Sequence, residues 1–92
     1  MPKSAKDLSA ARRAYFSPLG SQKLARLHPT DAELEKVAQA RLRLAQNPKL
    51  GYHVPFDLLY SEKLYRYDVE RFGLIYRINK DVEIVSVVLV KP

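Results

Sequence analysis

Arg66, Tyr67, Asp68, Glu70, Arg71, Tyr76 and Arg77 crowd into one short stretch near the end of the chain. Guanidinium, carboxylate and phenol together are the groups that metal-independent cleavage of RNA needs. One must deprotonate the 2′-hydroxyl, others must stabilise negative charge at phosphorus, and another must protonate the leaving oxygen. The same side chains also suit a plainer role, in which Arg66, Asp68, Glu70 and Arg77 pair across strands on a solvated face, at about 0.2–1 kcal/mol for each pair. Tyr65, Tyr67 and Tyr76 divide in the same way, between strand-stabilising residues and platforms for base stacking.

Other chemistries find little support. Cysteine is absent, which removes thiolate nucleophiles, disulfides and the commonest zinc ligands. His28 and His53 are the only histidines, and neither has a carboxylate or histidine at a metal-ligating spacing. They read as turn residues beside Pro29 and Pro55. No serine lies in a Gly-x-Ser-x-Gly elbow, and Gly20, Gly51 and Gly73 are scattered singly rather than gathered into a phosphate loop. Neither a metal nor an organic cofactor is expected.

The elements that must position these groups follow from local pattern. Residues 1–11 are small and polar and read as a loose basic arm. Arg13 to Phe16 suits a short strand, ended by Ser17-Pro18 as N-cap and first residue of a helix that runs to about His28. Thr30-Asp31-Ala32-Glu33 is a capping box opening a second helix, which Asn47-Pro48 closes. Its apolar arc reads as Leu34, Val37, Ala38, Leu42, Leu44 and Ala45, with Lys36, Gln39 and Arg43 opposite. Arg41 interrupts that arc, so it is expected to bridge helix to sheet. After a turn-rich connection, with Phe56 to Tyr60 expected to be extended, Tyr65, Tyr67 and Val69 alternate with Arg66, Asp68 and Glu70 as in a strand with one wet face. A turn near Arg71 to Gly73 leads to a strand placing Leu74, Tyr76 and Ile78 opposite Ile75, Arg77 and Asn79. A last strand, Ile84 to Val90, is apolar on both faces and belongs inside the sheet. The expected fold is α+β: a short N-terminal strand, then a two-helix hairpin packed on a mainly antiparallel sheet that ends in a three-stranded meander, β-α-α-β-β-β.

The 92 residues carry 16 Lys and Arg against 10 Asp and Glu, a net charge of +6. Residues 1–28 hold Lys3, Lys6, Arg12, Arg13, Lys23 and Arg26 against Asp7 alone, so the excess is N-terminal. Such a field attracts phosphate backbones and acidic protein segments alike. The length suits one domain, residues 1–92. No apolar run approaches the roughly 18 residues of a membrane span, and the N-terminus lacks the hydrophobic stretch of a signal peptide, so no membrane contact and a cytoplasmic location are expected.

Over residues 13 to 91 the order of elements resembles the RelE/ParE superfamily of type II toxin–antitoxin toxins. Its most specific pieces are Ala45-Gln46-Asn47-Pro48, Leu64-Tyr65-Arg66-Tyr67, and Leu74-Ile75-Tyr76-Arg77-Ile78 followed by the apolar last strand. The resemblance implies a growth inhibitor neutralised by a cognate acidic antitoxin. RelE-like members cleave ribosome-bound mRNA, whereas ParE-like members poison DNA gyrase without chemistry of their own; a toxin fold retaining only antitoxin binding is a third reading. Under the nuclease reading Arg66 matches the basic residue that contacts the RNA backbone on the strand entering the meander. Arg71, Arg77 or Lys91 would join it on phosphate, and Glu70 or Tyr76 would transfer protons. Where those nucleases present an aromatic residue and then an arginine, this chain has Phe72-Gly73, and beyond the last strand Lys91 is its one cation.

Overall fold

Ser17 and Thr30 start the two helices as their side chains require. The Ser17 hydroxyl accepts from the Gly20 amide at 3.0 Å, with Pro18 in the first turn, where a missing N–H costs nothing. The Thr30 hydroxyl accepts from the Glu33 amide at 3.1 Å while the Glu33 carboxylate accepts from the Thr30 amide at 2.9 Å, which completes the capping box. The structure, a computed structural model, describes residues 12–54 and 63–90. In order these form β1 (Ala14–Phe16), α1 (Pro18–Arg26), α2 (Asp31–Gln46), a 3₁₀ turn (Pro48–Leu50), β2 (Tyr52–His53), β3 (Tyr65–Val69), β4 (Phe72–Ile78) and β5 (Val82–Leu89). Among the described residues no helix is long and apolar enough to cross a membrane. The N-terminal arm, the stretch Phe56 to Tyr60 and Lys91 lie outside the described residues.

The chain is α+β, with two helices and a five-stranded mixed sheet of order β1-β5-β4-β3-β2. Four strands were expected, and the fifth is the two-residue β2, in which Tyr52 pairs with Arg66 and His53 with Tyr65. His53 is therefore a strand residue, with its ring edge-on to Tyr65 at 5.9 Å, and not a turn residue. His28 does occupy a turn, taking φ 52° just after α1, and its amide donates to the Ala25 carbonyl. β5 is interior as its two apolar faces predict, lying parallel to β1 and antiparallel to β4. The β3–β4 turn is Glu70-Arg71 rather than Arg71 to Gly73, because Phe72 and Gly73 already pair with Val69 and Asp68.

Both helices contribute to the core on one sheet face, where Leu24, Val37, Ala40 and Leu44 meet Phe72, Leu74, Tyr76, Val82, Ile84 and Val87. The buried stripe of α2 differs from its apolar arc. Leu34 and Leu42 are 42% and 62% exposed, while Ala40 is buried and Arg41 half-buried. Arg41 donates to the Ala14 carbonyl at 3.2 Å, tying α2 to the sheet edge formed by β1. The opposite sheet face carries no helix among the described residues. A bulge at Val85, between the pairs Ile75–Ser86 and Tyr76–Ile84, helps build a second small cluster there of Val54, Leu64, Ile75 and Val85.

Tyr76 lies at the centre of the packing, fully buried and stacked on Tyr65 with ring centroids 5.6 Å apart. Its hydroxyl donates to the Pro48 carbonyl at 2.6 Å and accepts from the Gly51 amide at 3.0 Å, pinning the segment after α2 to the middle of the sheet. Tyr76→Phe leaves both backbone groups without that partner, and a buried unpaired polar group costs about 1–3 kcal/mol. Urea unfolding of the Tyr76→Phe variant should show a loss of that size.

Candidate functional site

Strand alternation sends Arg66 and Asp68 of β3, and Gly73, Ile75 and Arg77 of β4, to the face without helices. Arg66 pairs in register with Ile75, so Arg66 and Arg77 are diagonal neighbours, a relation that sets residues roughly 7–8 Å apart. Each holds a carboxylate. Arg66 Nε donates to Asp68 Oδ1 at 2.7 Å, with its guanidinium carbon 5.8 Å from the Tyr52 ring centroid. Arg77 is paired in register with Glu83, and its Nε and Nη2 lie 2.7 and 2.6 Å from Glu83 Oε1. The cross-strand pairing expected of this face is thus present for Arg77, whereas Arg66 pairs along its own strand.

Gly73 explains how Arg66 and Asp68 fit. It is buried and sits directly opposite Asp68, and a Cβ there would come within 2.9 Å of Arg66 Nε and 3.2 Å of Asp68 Oδ1. The glycine leaves the space that the ion pair fills.

Beside Arg77 the ends of β3 and β4 open into a cleft of about 620 Å³ lined by Lys49, Lys63, Tyr65, Arg77, Ile78 and Asn79. Lys49 comes from the 3₁₀ turn after α2 and Lys63 from just before β3. Neither ammonium meets a carboxylate among the described residues. Three cations line this open recess, of which Arg77 already holds Glu83, and Tyr65 and Asn79 add neutral hydrogen-bonding groups. A smaller recess of about 230 Å³ lies between α2 and β3, where Lys36, Gln39 and Arg43 face Tyr67, Asp68 and Glu70. There the charges are mixed.

The remaining sequence candidates fall elsewhere. Glu70 is exposed in the β3–β4 turn with φ 55°, at the far end of the hairpin from the cleft. Tyr76 has no exposed atom, and burial pushes its phenol above the usual range, so its oxygen serves the backbone of Pro48 and Gly51. Arg71 turns to the helices. Its Nε lies 2.7 Å from Glu33 Oε2, and its Nη2 donates to Glu33 Oε1 at 3.1 Å and to the Leu27 carbonyl at the end of α1 at 3.1 Å. The guanidinium also covers the Phe72 ring at 4.6 Å.

Lys49, Lys63 and Asn79 were missed by sequence reasoning because they flank separate elements and no periodicity links them. The Asn47-Pro48 stop before Lys49 was the available signal: it fixes where the chain leaves α2, and hence near which strand end the lysine emerges. Among the described residues no three His, Asp or Glu side chains converge as metal ligands.

Arg71, with the Thr30 amide, holds the Glu33 carboxyl down at about 2 from its ordinary 4.5. A depressed carboxyl pKa adds stability that is complete above the unfolded-state value and is lost as pH falls through the folded one. Urea midpoints should therefore fall between about pH 4.5 and pH 2. Glu33→Gln should lower the neutral-pH midpoint and shrink that acid-dependent fall.

No family model matches this sequence, and no curated protein matches it.

Proposed function

We propose that the chain is a RelE/ParE-type toxin acting in the cytoplasm as a RelE-like, ribosome-dependent mRNA endonuclease. The observation that carries this reading is the run of cations from Arg66 through Arg77 into the cleft with Lys63 and Lys49. A line of fixed cations on a sheet face suits successive phosphates of a single strand, with exposed Tyr52, beside the Arg66 guanidinium, as a stacking surface. Within the cleft, Lys49, Lys63 and Tyr65 are the groups able to exchange a proton, and Arg77 is a fixed charge for the phosphate. Proton transfer is assigned to the lysines and charge stabilisation to Arg66 and Arg77, so that cleavage needs no metal. An acidic antitoxin would neutralise the same positive surface.

A second reading is a ParE-like inhibitor of DNA gyrase, or a toxin fold that only binds its antitoxin. It draws on the commitment of Arg71 and Tyr76 to the fold and on the distance of Glu70 from the cleft, which thin the catalytic inventory. Inducible expression separates the readings. The nuclease reading predicts growth arrest with messages cut at codon boundaries, and Lys49→Ala and Lys63→Ala should each lower cleavage on the order of 10²-fold. Intact messages with DNA breaks would move the assignment to gyrase. Normal growth would leave antitoxin binding alone.

A further inference from the structure

Among the described residues, Arg66 is the cation of the proposed RNA-binding face whose counter-charge lies on its own strand, two residues away. The pair has three supports. Asp68 Oδ1 takes the Nε hydrogen at 2.7 Å, Tyr52 lies against the guanidinium, and Gly73 provides the space that a Cβ at its position would invade. Both side chains remain part-exposed, at 27% and 38%, so an incoming anion can reach them. A carboxylate on Nε occupies one edge of the guanidinium fork, an edge that a phosphate would otherwise engage with two parallel hydrogen bonds.

We propose that Asp68 is an internal competitor for Arg66. It holds the Nε edge of the arginine in place of phosphate when the face is empty, and it must be displaced before a phosphodiester can take that edge. Asp68 is then a positioning residue that weakens RNA binding, and its removal should strengthen that binding. This role rests on the RNA-binding reading above and deepens it. A simple ion pair of the fold predicts no gain, since losing it would leave binding unchanged or weaker.

The test measures fluorescence anisotropy of a short labelled single-stranded oligoribonucleotide with the full chain and its variants. An exposed ion pair is worth about 0.2–1 kcal/mol, so Asp68→Asn should bind roughly 1.4- to fivefold more tightly than wild type. Asp68→Glu, which restores the charge, should return towards wild type. Glu35→Gln, on the exposed face of α2, changes net charge equally and should shift affinity far less. In an Arg66→Ala background the effect of Asp68→Asn should shrink to that of Glu35→Gln. A gain that persists without Arg66, or that Glu35→Gln matches, overturns the competitor role in favour of net charge. If wild type binds and Asp68→Asn binds no better, the competitor role falls while the RNA-binding reading stands. If no variant binds, both fall.

Discussion

The guanidinium of Arg71 is where both helices and the β3–β4 hairpin meet. It reaches the Leu27 and His28 carbonyls just beyond α1, the carboxylate that caps α2, and the face of Phe72 in the core. Its own carbonyl accepts from the Val90 amide at 2.8 Å, which adds the end of β5. One residue thereby closes the helix pair against the sheet. It does so from a tight turn, where Glu70 takes a positive φ that a branched or long side chain rarely adopts, and this bonding fixes the strained turn. The fork of Arg71 matches the carboxylate in two parallel bonds, which a lysine would not reproduce.

Charged residues on the hairpin divide by direction. Arg71 points to the helices and Tyr76 to the core, and both spend their polar atoms on the backbone or on Glu33. Arg66 and Arg77 point the other way, and their counter-charges lie on strands of the same face. Among the described residues the helices therefore cover one sheet face, while the face of Arg66 and Arg77 carries no helix. The proposal of RNA recognition rests on that separation.

Local chemistry was legible in the sequence. Ser17-Pro18, the capping box at Thr30, the alternation of Tyr65, Tyr67 and Val69, and the two apolar faces of β5 each declare themselves within a few residues, and each holds in the structure. What failed depended on distant partners. Leu34 and Leu42 drew the apolar arc of α2 away from its buried stripe, because Glu33 and Arg41 sit inward to meet Arg71 and the Ala14 carbonyl. β2 is too short to show any period and exists through its pairing with β3. The cleft joins residues 49, 63 and 77–79, which no spacing rule connects. Gly73 read as a missing arginine, and its function of making room for Arg66 and Asp68 shows only once the register is known.

The central claim is that RNA lies on the sheet face of Arg66 and Arg77 and enters the cleft beside Arg77. Titrating the ¹⁵N-labelled protein with a single-stranded oligoribonucleotide and following backbone amide shifts tests it most directly. Saturable shifts concentrated at Lys49, Lys63, Tyr65, Arg66 and Arg77 to Asn79 are the predicted result. The absence of saturable shifts, or shifts gathered instead along α1 and α2, would contradict it.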